Sequence, residues 1–180
     1  MRRVVVVSGM PGAGKTTLAV PLAAALGLPL VRKDAIKETL FDALGHVDVD
    51  EAASSRKLGA AAMDVLWRLA GDCPAVVIEA NFRSRSPYER RRLRELSRRP
   101  VEVHCRLPAE LAAERYARRH AEPGHHPVHV LPSLPLARLA EYQEPMGLGP
   151  VLEVDTTAPV DVPAVADWVR RALAAPPPAG

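Results

Sequence analysis

The chain lacks most of the features that mark unusual protein classes. It has only two cysteines, Cys73 and Cys105, among 180 residues. They stand far apart with no C-x-x-C pair, so neither a disulfide framework nor a zinc ribbon is expected. Aromatic residues make up 4%, which leaves Ala, Val and Leu to fill the interior and argues against a stacking platform for single-stranded nucleic acid. No apolar run approaches the roughly 20 residues of a membrane span. Neither sign of charge dominates: 24 basic and 21 acidic residues leave +3, which suits anionic ligands without requiring nucleic acid. The first strand starts at once, leaving no room for a signal peptide, and a reducing cytoplasm is the expected setting.

A hydrophobic content of 48% in a chain of this length supports one core, expected as a single domain over residues 1–175 with a disordered tail at 176–180. The most specific motif is Gly9-Met10-Pro11-Gly12-Ala13-Gly14-Lys15-Thr16. The β-branched run Arg3 to Val7 before it reads as a strand buried on both faces. Thr17 to Leu26 after it has apolar residues at helical spacing. Strand, glycine-rich turn and helix N-terminus in that order point backbone N–H groups and a positive dipole end at an anion. Gly9, Gly12, Ala13, Gly14 and Thr17 supply the cradle, Lys15 a charge for the β- and γ-phosphates, and Thr16 a hydroxyl for Mg²⁺. ATP and Mg²⁺ are the expected ligands.

Four further strands are expected at Pro29–Arg32, Ala75–Ala80, Val101–Leu107 and Val151–Val154. Helices fit Ala35–Leu44, Asp50–Leu69, Pro87–Arg98, Pro108 to about His120, Leu136–Tyr142 and Val162–Ala174. In the second of these, Ala53, Leu58, Ala61, Ala62, Val65, Leu66 and Leu69 form the expected buried stripe, and Gly71 and Pro74 close it. Glu122 to Pro135, rich in Pro, Gly and His, reads as a mobile loop within a lid spanning about 115–135. Strands alternating with helices imply an α/β, three-layer fold, a five-stranded parallel sheet with helices on both faces. Ligands then gather at the carboxyl ends of the strands.

Those strand ends carry polar residues. Asp34 either caps a helix or orients an acceptor hydroxyl and takes its proton. Glu79 ends an apolar strand, where it serves Mg²⁺ or substrate, activates water in an ATPase, or is a plain strand-end charge. Asn81 and Arg83 follow on the same rim, and with Lys37 they are candidates for substrate contact. Arg115, Arg118 and Arg119 form either a solvated basic face or a lid that neutralises charge on the transferred group. His120, His125, His126 and His129 sit in the loop region, with a metal site, a lid role and no role as the alternatives. The segment Arg83–Arg99 contains eight arginines together with Glu89 and Glu95, and Leu93 and Leu96 mark a buried face. A solvated helix explains it better than nucleic-acid binding.

Gly9–Thr17, Arg32–Glu38, Val76–Phe82, Cys105–Pro108, Glu114–Arg119 and Glu153–Thr157 together resemble the AAA-family, P-loop kinases related to chloramphenicol phosphotransferase, the zeta toxins and polynucleotide kinase. The resemblance implies a P-loop NTPase fold with a small lid and transfer of the γ-phosphate of ATP to a hydroxyl. It makes Asp34 the base and the Arg115–Arg119 segment the lid arginines. It also puts adenine near Thr156 to Val160, with Thr157 among its contacts. Glu79 stands where many such proteins have Asp, and the lid sequence Pro123–Pro127 is unusual. The leading expectation is a small-molecule kinase acting on a metabolite, nucleoside, sugar or antibiotic. A regulatory ATPase and a polynucleotide 5′-kinase are the alternatives.

Overall fold

A computed structural model describes residues 2–176, so all but the first residue of the expected tail 176–180 lies outside the described residues. The apolar run Arg3–Gly9 forms β1, the middle of a five-stranded sheet. It alternates sides: Val5 and Val7 face one core, Val4 and Val6 the other, and all four are fully buried. That double burial is why the strand is apolar without a break. The remaining strands are β2 (Leu30–Arg32), β3 (Ala75–Glu79), β4 (Val101–Arg106) and β5 (Val151–Asp155), in the order β2-β3-β1-β4-β5 with every pairing parallel.

Helices α1 (Lys15–Leu26), α5 (Ala109–His120) and α7 (Val162–Ala174) cover one face, where Leu18, Leu22, Ala112 and Val169 pack on β1 and β4, and the short α6 (Leu136–Leu139) adds Leu139 to the same core. On the other face lie α3 (Glu51–Asp72) and α4 (Pro87–Leu96), whose Leu66, Trp67 and Leu93 meet Val4, Val6 and Ile78. The expected three-layer α/β fold is therefore the observed one. Asp50 and Asp161 cap α3 and α7, each accepting backbone N–H groups of the first turn. No helix among the described residues is long and apolar enough to cross a membrane.

Three local expectations need correction. Helix α3 runs on through Gly71 to Asp72. Its buried positions are Ser54, Leu58, Ala62, Leu66, Trp67 and Ala70, while Ala61, Val65 and Leu69 face solvent. Apolar residues surround most of this helix, so periodicity alone did not select the right face. Ser54 is tolerated inside because its hydroxyl accepts the Val47 N–H at 2.9 Å. Helix α2 (Lys33–Leu44) begins directly at the end of β2, two residues earlier than expected; of Ile36, Leu40 and Leu44, which helical spacing puts on one apolar face, Leu44 is 62% exposed. Helix α4 stops at Leu96, capped by Ser97, rather than reaching Arg98.

Candidate active site

The loop between β1 and α1 is held in place by two close approaches. At Gly9, with φ +135°, a Cβ would come within 2.6 Å of the Cys105 carbonyl oxygen; at Gly12, with φ +84°, it would come within 2.2 Å of the Ala112 carbonyl oxygen. Only glycine fits either position, since the backbone angle and the space both exclude a side chain. The loop is thereby pressed against β4 and α5. Ala13 is buried and its N–H returns to the Met10 carbonyl. Gly14 ends the loop as the N-cap of α1 without any side-chain cap, so the first-turn N–H groups remain available to an anion.

Lys15 is buried and donates to the Met10 carbonyl at 2.8 Å. Burial lowers its pKa against the opposing pull of Glu79 and Asp34. Thr16 Oγ1 donates to Glu79 Oε2 at 3.2 Å. Glu79 is 2% exposed, and burial pushes its carboxyl up, partly countered by Lys15 and by the Thr16 hydroxyl. The two oxygens therefore meet at the N-terminus of α1, hard donors suited to Mg²⁺.

A cavity of about 520 Å³ opens from this loop. Gly12, Gly14, Lys15, Thr16 and Thr17 form one side, and Asp34, Lys37, Glu79, Asn81, Arg83 and Arg119 also line it. Register explains the gathering: Arg32 pairs with Glu79 and Val7 with the same residue from the other side, so β2, β3 and β1 end on one rim.

Asp34 lies inside the first turn of α2; the N-cap is Arg32, so capping is not its role. Its carboxylate accepts from Lys33 Nζ at 2.8 Å. Burial pushes the carboxyl up, but Lys33, with His129 and Lys15 behind it, outweighs burial and holds it well below the usual carboxylate range. Arg83 is fixed by Glu89, which accepts its backbone N–H at 2.7 Å and its Nε at 2.8 Å.

The three α5 arginines separate. Arg119 lines the cavity, with its guanidinium 5.8 Å from the Tyr116 ring centre. Arg115 turns away and donates to the carbonyls of Thr156 (2.8 Å) and Thr157 (3.1 Å) after β5. Arg118 is exposed and lines neither cavity described here. Thr157 borders a second cavity of about 570 Å³ beside the ends of β4 and β5. The loop after α5 has Val128 and Leu134 buried, and His126 and His129 reach Asp42 (3.1 Å) and Glu38 (2.9 Å) of α2. The histidines thus tie this loop to α2, and His125 contacts the His129 carbonyl.

Sequence reasoning missed several cavity residues. Lys33, Tyr116 and Arg138 line it, and one face of α3 supplies Ala52, Ser55, Arg56, Gly59, Ala60 and Met63. The i, i+3/i+4 spacing of that face was readable, but small residues at helical spacing carry little hydrophobic signal.

A family model described as an AAA domain matches residues 4–143. A crystal structure of a kinase candidate from Chloroflexus aurantiacus is 33% identical, covers 95% of this chain and 98% of its own, and superposes with a TM-score of 0.81. Two more distant structures share the fold. Kti12 of Chaetomium thermophilum, solved with ADP-AlF3, is 18% identical, covers 96% and 100%, and has a TM-score of 0.64. Shikimate kinase of Acinetobacter baumannii, solved with shikimate, is 17% identical, covers 95% and 92%, and has a TM-score of 0.57. No curated protein matches the chain.

Proposed function

The chain belongs to the AAA domain family, and from that premise we propose that it is an ATP-dependent phosphotransferase acting on a hydroxyl of a small molecule. The observation that carries this reading is Asp34, a carboxylate kept ionised by Lys33 in the same cavity as the phosphate loop.

In the proposed reaction the β1–α1 loop and the first turn of α1 hold the triphosphate through backbone N–H groups, and Lys15 leaves the Met10 carbonyl for the β- and γ-phosphates. Thr16 and Glu79 would hold Mg²⁺, which when bound would neutralise charge on the triphosphate. The acceptor oxygen bonds to the γ-phosphorus, the bond from that phosphorus to the ADP leaving oxygen breaks, and the hydroxyl proton passes to Asp34. A carboxyl held this low is a weak base, so its contribution is chiefly to align the hydroxyl and accept a proton late in the transfer. Arg119 faces the cavity and takes the charge-stabilising role, while Arg115 braces the loop after β5, beside which the adenine packs. Residues of about 115–135 act as the lid of a single domain over residues 1–175. Asn81, Arg83 and Lys37 face the acceptor.

The test is a mass measurement. Incubating the protein with Mg·ATP and a pool of hydroxylated metabolites and antibiotics yields a phosphorylated product, and Lys15→Ala abolishes it. Consumption of ATP with no phosphorylated member of the pool contradicts the proposal.

A further inference from the structure

Resting on the kinase reading for the place of the acceptor, we propose that the acceptor is a hydroxylated anion, whose carboxylate or phosphate group is held by Lys37 against the small-residue face of α3. Lys37 is 6% exposed and lines the cavity. A lysine ammonium has three N–H donors. Two are used within the protein, on Ser55 Oγ at 2.7 Å and the Val128 carbonyl at 3.3 Å. Ser55 gives its own proton to Val128 at 2.7 Å, so both partners are neutral acceptors. No carboxylate among the described residues forms an ion pair with Lys37.

The neighbouring carboxylates compensate only from a distance, since none is within ion-pair reach. On α2, Asp34 is taken by Lys33 and Glu38 by His129. On α3, Arg56 adds another cation to the cavity wall, its own partner Asp50 lying 3.7 Å away at the surface. His129 comes from the loop after α5. Burial, helped by Lys33 and opposed by Asp34 and Glu38, brings the Lys37 pKa down to about 8. It therefore stays largely protonated near neutrality, a buried charge one donor short of satisfaction. Buried charges are ordinarily paired, and an anion on the cavity side completes this one.

The wall beside it has room. Gly59 lies inside α3, where glycine is costly, and a Cβ there would sit at ordinary contact distance, 3.8 Å from Lys37 Cε and 3.9 Å from Lys33 Nζ. Leaving it out opens bare backbone between the two lysines. Asn81 lines the same cavity, its buried Oδ1 without a donor among the described residues. A neutral acceptor leaves the ammonium without a counter-charge, and sites built around a polar group discriminate strongly against ligands that lack it.

Calorimetry on the full chain saturated with a non-hydrolysable Mg·ATP analogue tests this, using matched pairs: glycerate and glycerol, gluconate and glucose, ribose 5-phosphate and ribose. At least one anionic member is expected to bind about tenfold or more tightly than its neutral twin. Lys37→Met removes that preference without changing affinity for the ATP analogue, Lys37→Arg retains it, and in the wild type it fades as pH rises through about 8. Equal binding of the neutral twins, no binding by any anionic member, or a preference that survives Lys37→Met overturns the proposal. Transfer assays on the same pairs separate the two readings. Anion preference without transfer to any acceptor sinks the kinase reading alone; transfer to neutral twins without preference sinks this one alone.

Discussion

Glu102 is 2% exposed in β4 with no cationic partner among the described residues, yet it is fully used. It accepts the Ser8 hydroxyl at 2.6 Å, the Met146 N–H at 2.9 Å and the Gly147 N–H at 3.0 Å. His104 joins through Ser8 at 2.8 Å and the Gln143 carbonyl at 2.9 Å. The cluster ties the 143–147 segment, just beyond the lid, to the residue preceding Gly9. Removing the carboxylate strands the buried Met146 N–H, while Ser8 keeps His104 at 2.8 Å and the Gly147 N–H opens to solvent; one buried donor left without an acceptor costs about 1–3 kcal/mol. Glu102→Ala is thus expected to lose about 1–3 kcal/mol in denaturant unfolding, and a loss well under about 1 kcal/mol would show that the cluster is dispensable. None of this was legible in the sequence. Val101-Glu102-Val103-His104 alternates like a strand with one wet face, whereas Glu102 and His104 point into a covered one. Lys15, Thr16 and Asp34 were legible, because strand-end position and motif spacing speak for them directly.

At the scale of the element, α5 divides its arginines between two tasks. Its i, i+4 spacing put Arg115 and Arg119 on one face, but the structure joins Arg115 to the carbonyls after β5 and leaves Arg119 to the cavity. Side-chain reach, unlike helical phase, depends on what packs nearby. Arg119→Ala is expected to lower kcat by about 10²–10³-fold with little change in nucleotide affinity, whereas Arg115→Ala chiefly raises the KM for ATP. Steady-state kinetics that gave both variants the same pattern would contradict this division. Helix α5 also supports the phosphate loop, since Ala112 leaves no space for a side chain at position 12. Gly12→Ala combines a clash with a strained φ and is expected to cost at least about 2 kcal/mol. Weakened binding of both ATP and ADP in a titration would follow, and undiminished nucleotide affinity would contradict it.

On the scale of the whole molecule, the alternation of strands and helices was enough to read a parallel sheet with helices on both faces. The strand order was not readable, because a parallel sheet allows several orders for the same alternation. The order β2-β3-β1-β4-β5 brings Asp34, Glu79 and the phosphate loop to one cavity, with α2 and α3 forming the remaining wall. The same cavity could direct the γ-phosphate to a hydroxyl through Asp34 or to water through Glu79, and that choice is the central claim. The direct measurement follows the γ-phosphate of labelled Mg·ATP, with the metabolite and antibiotic pool present, in wild type, Asp34→Asn and Glu79→Gln. Label on an organic acceptor in the wild type, reduced about 10²–10⁴-fold by Asp34→Asn at unchanged ATP affinity, is the predicted result. Label released only as inorganic phosphate, independent of the pool and lost in Glu79→Gln but not in Asp34→Asn, would contradict it.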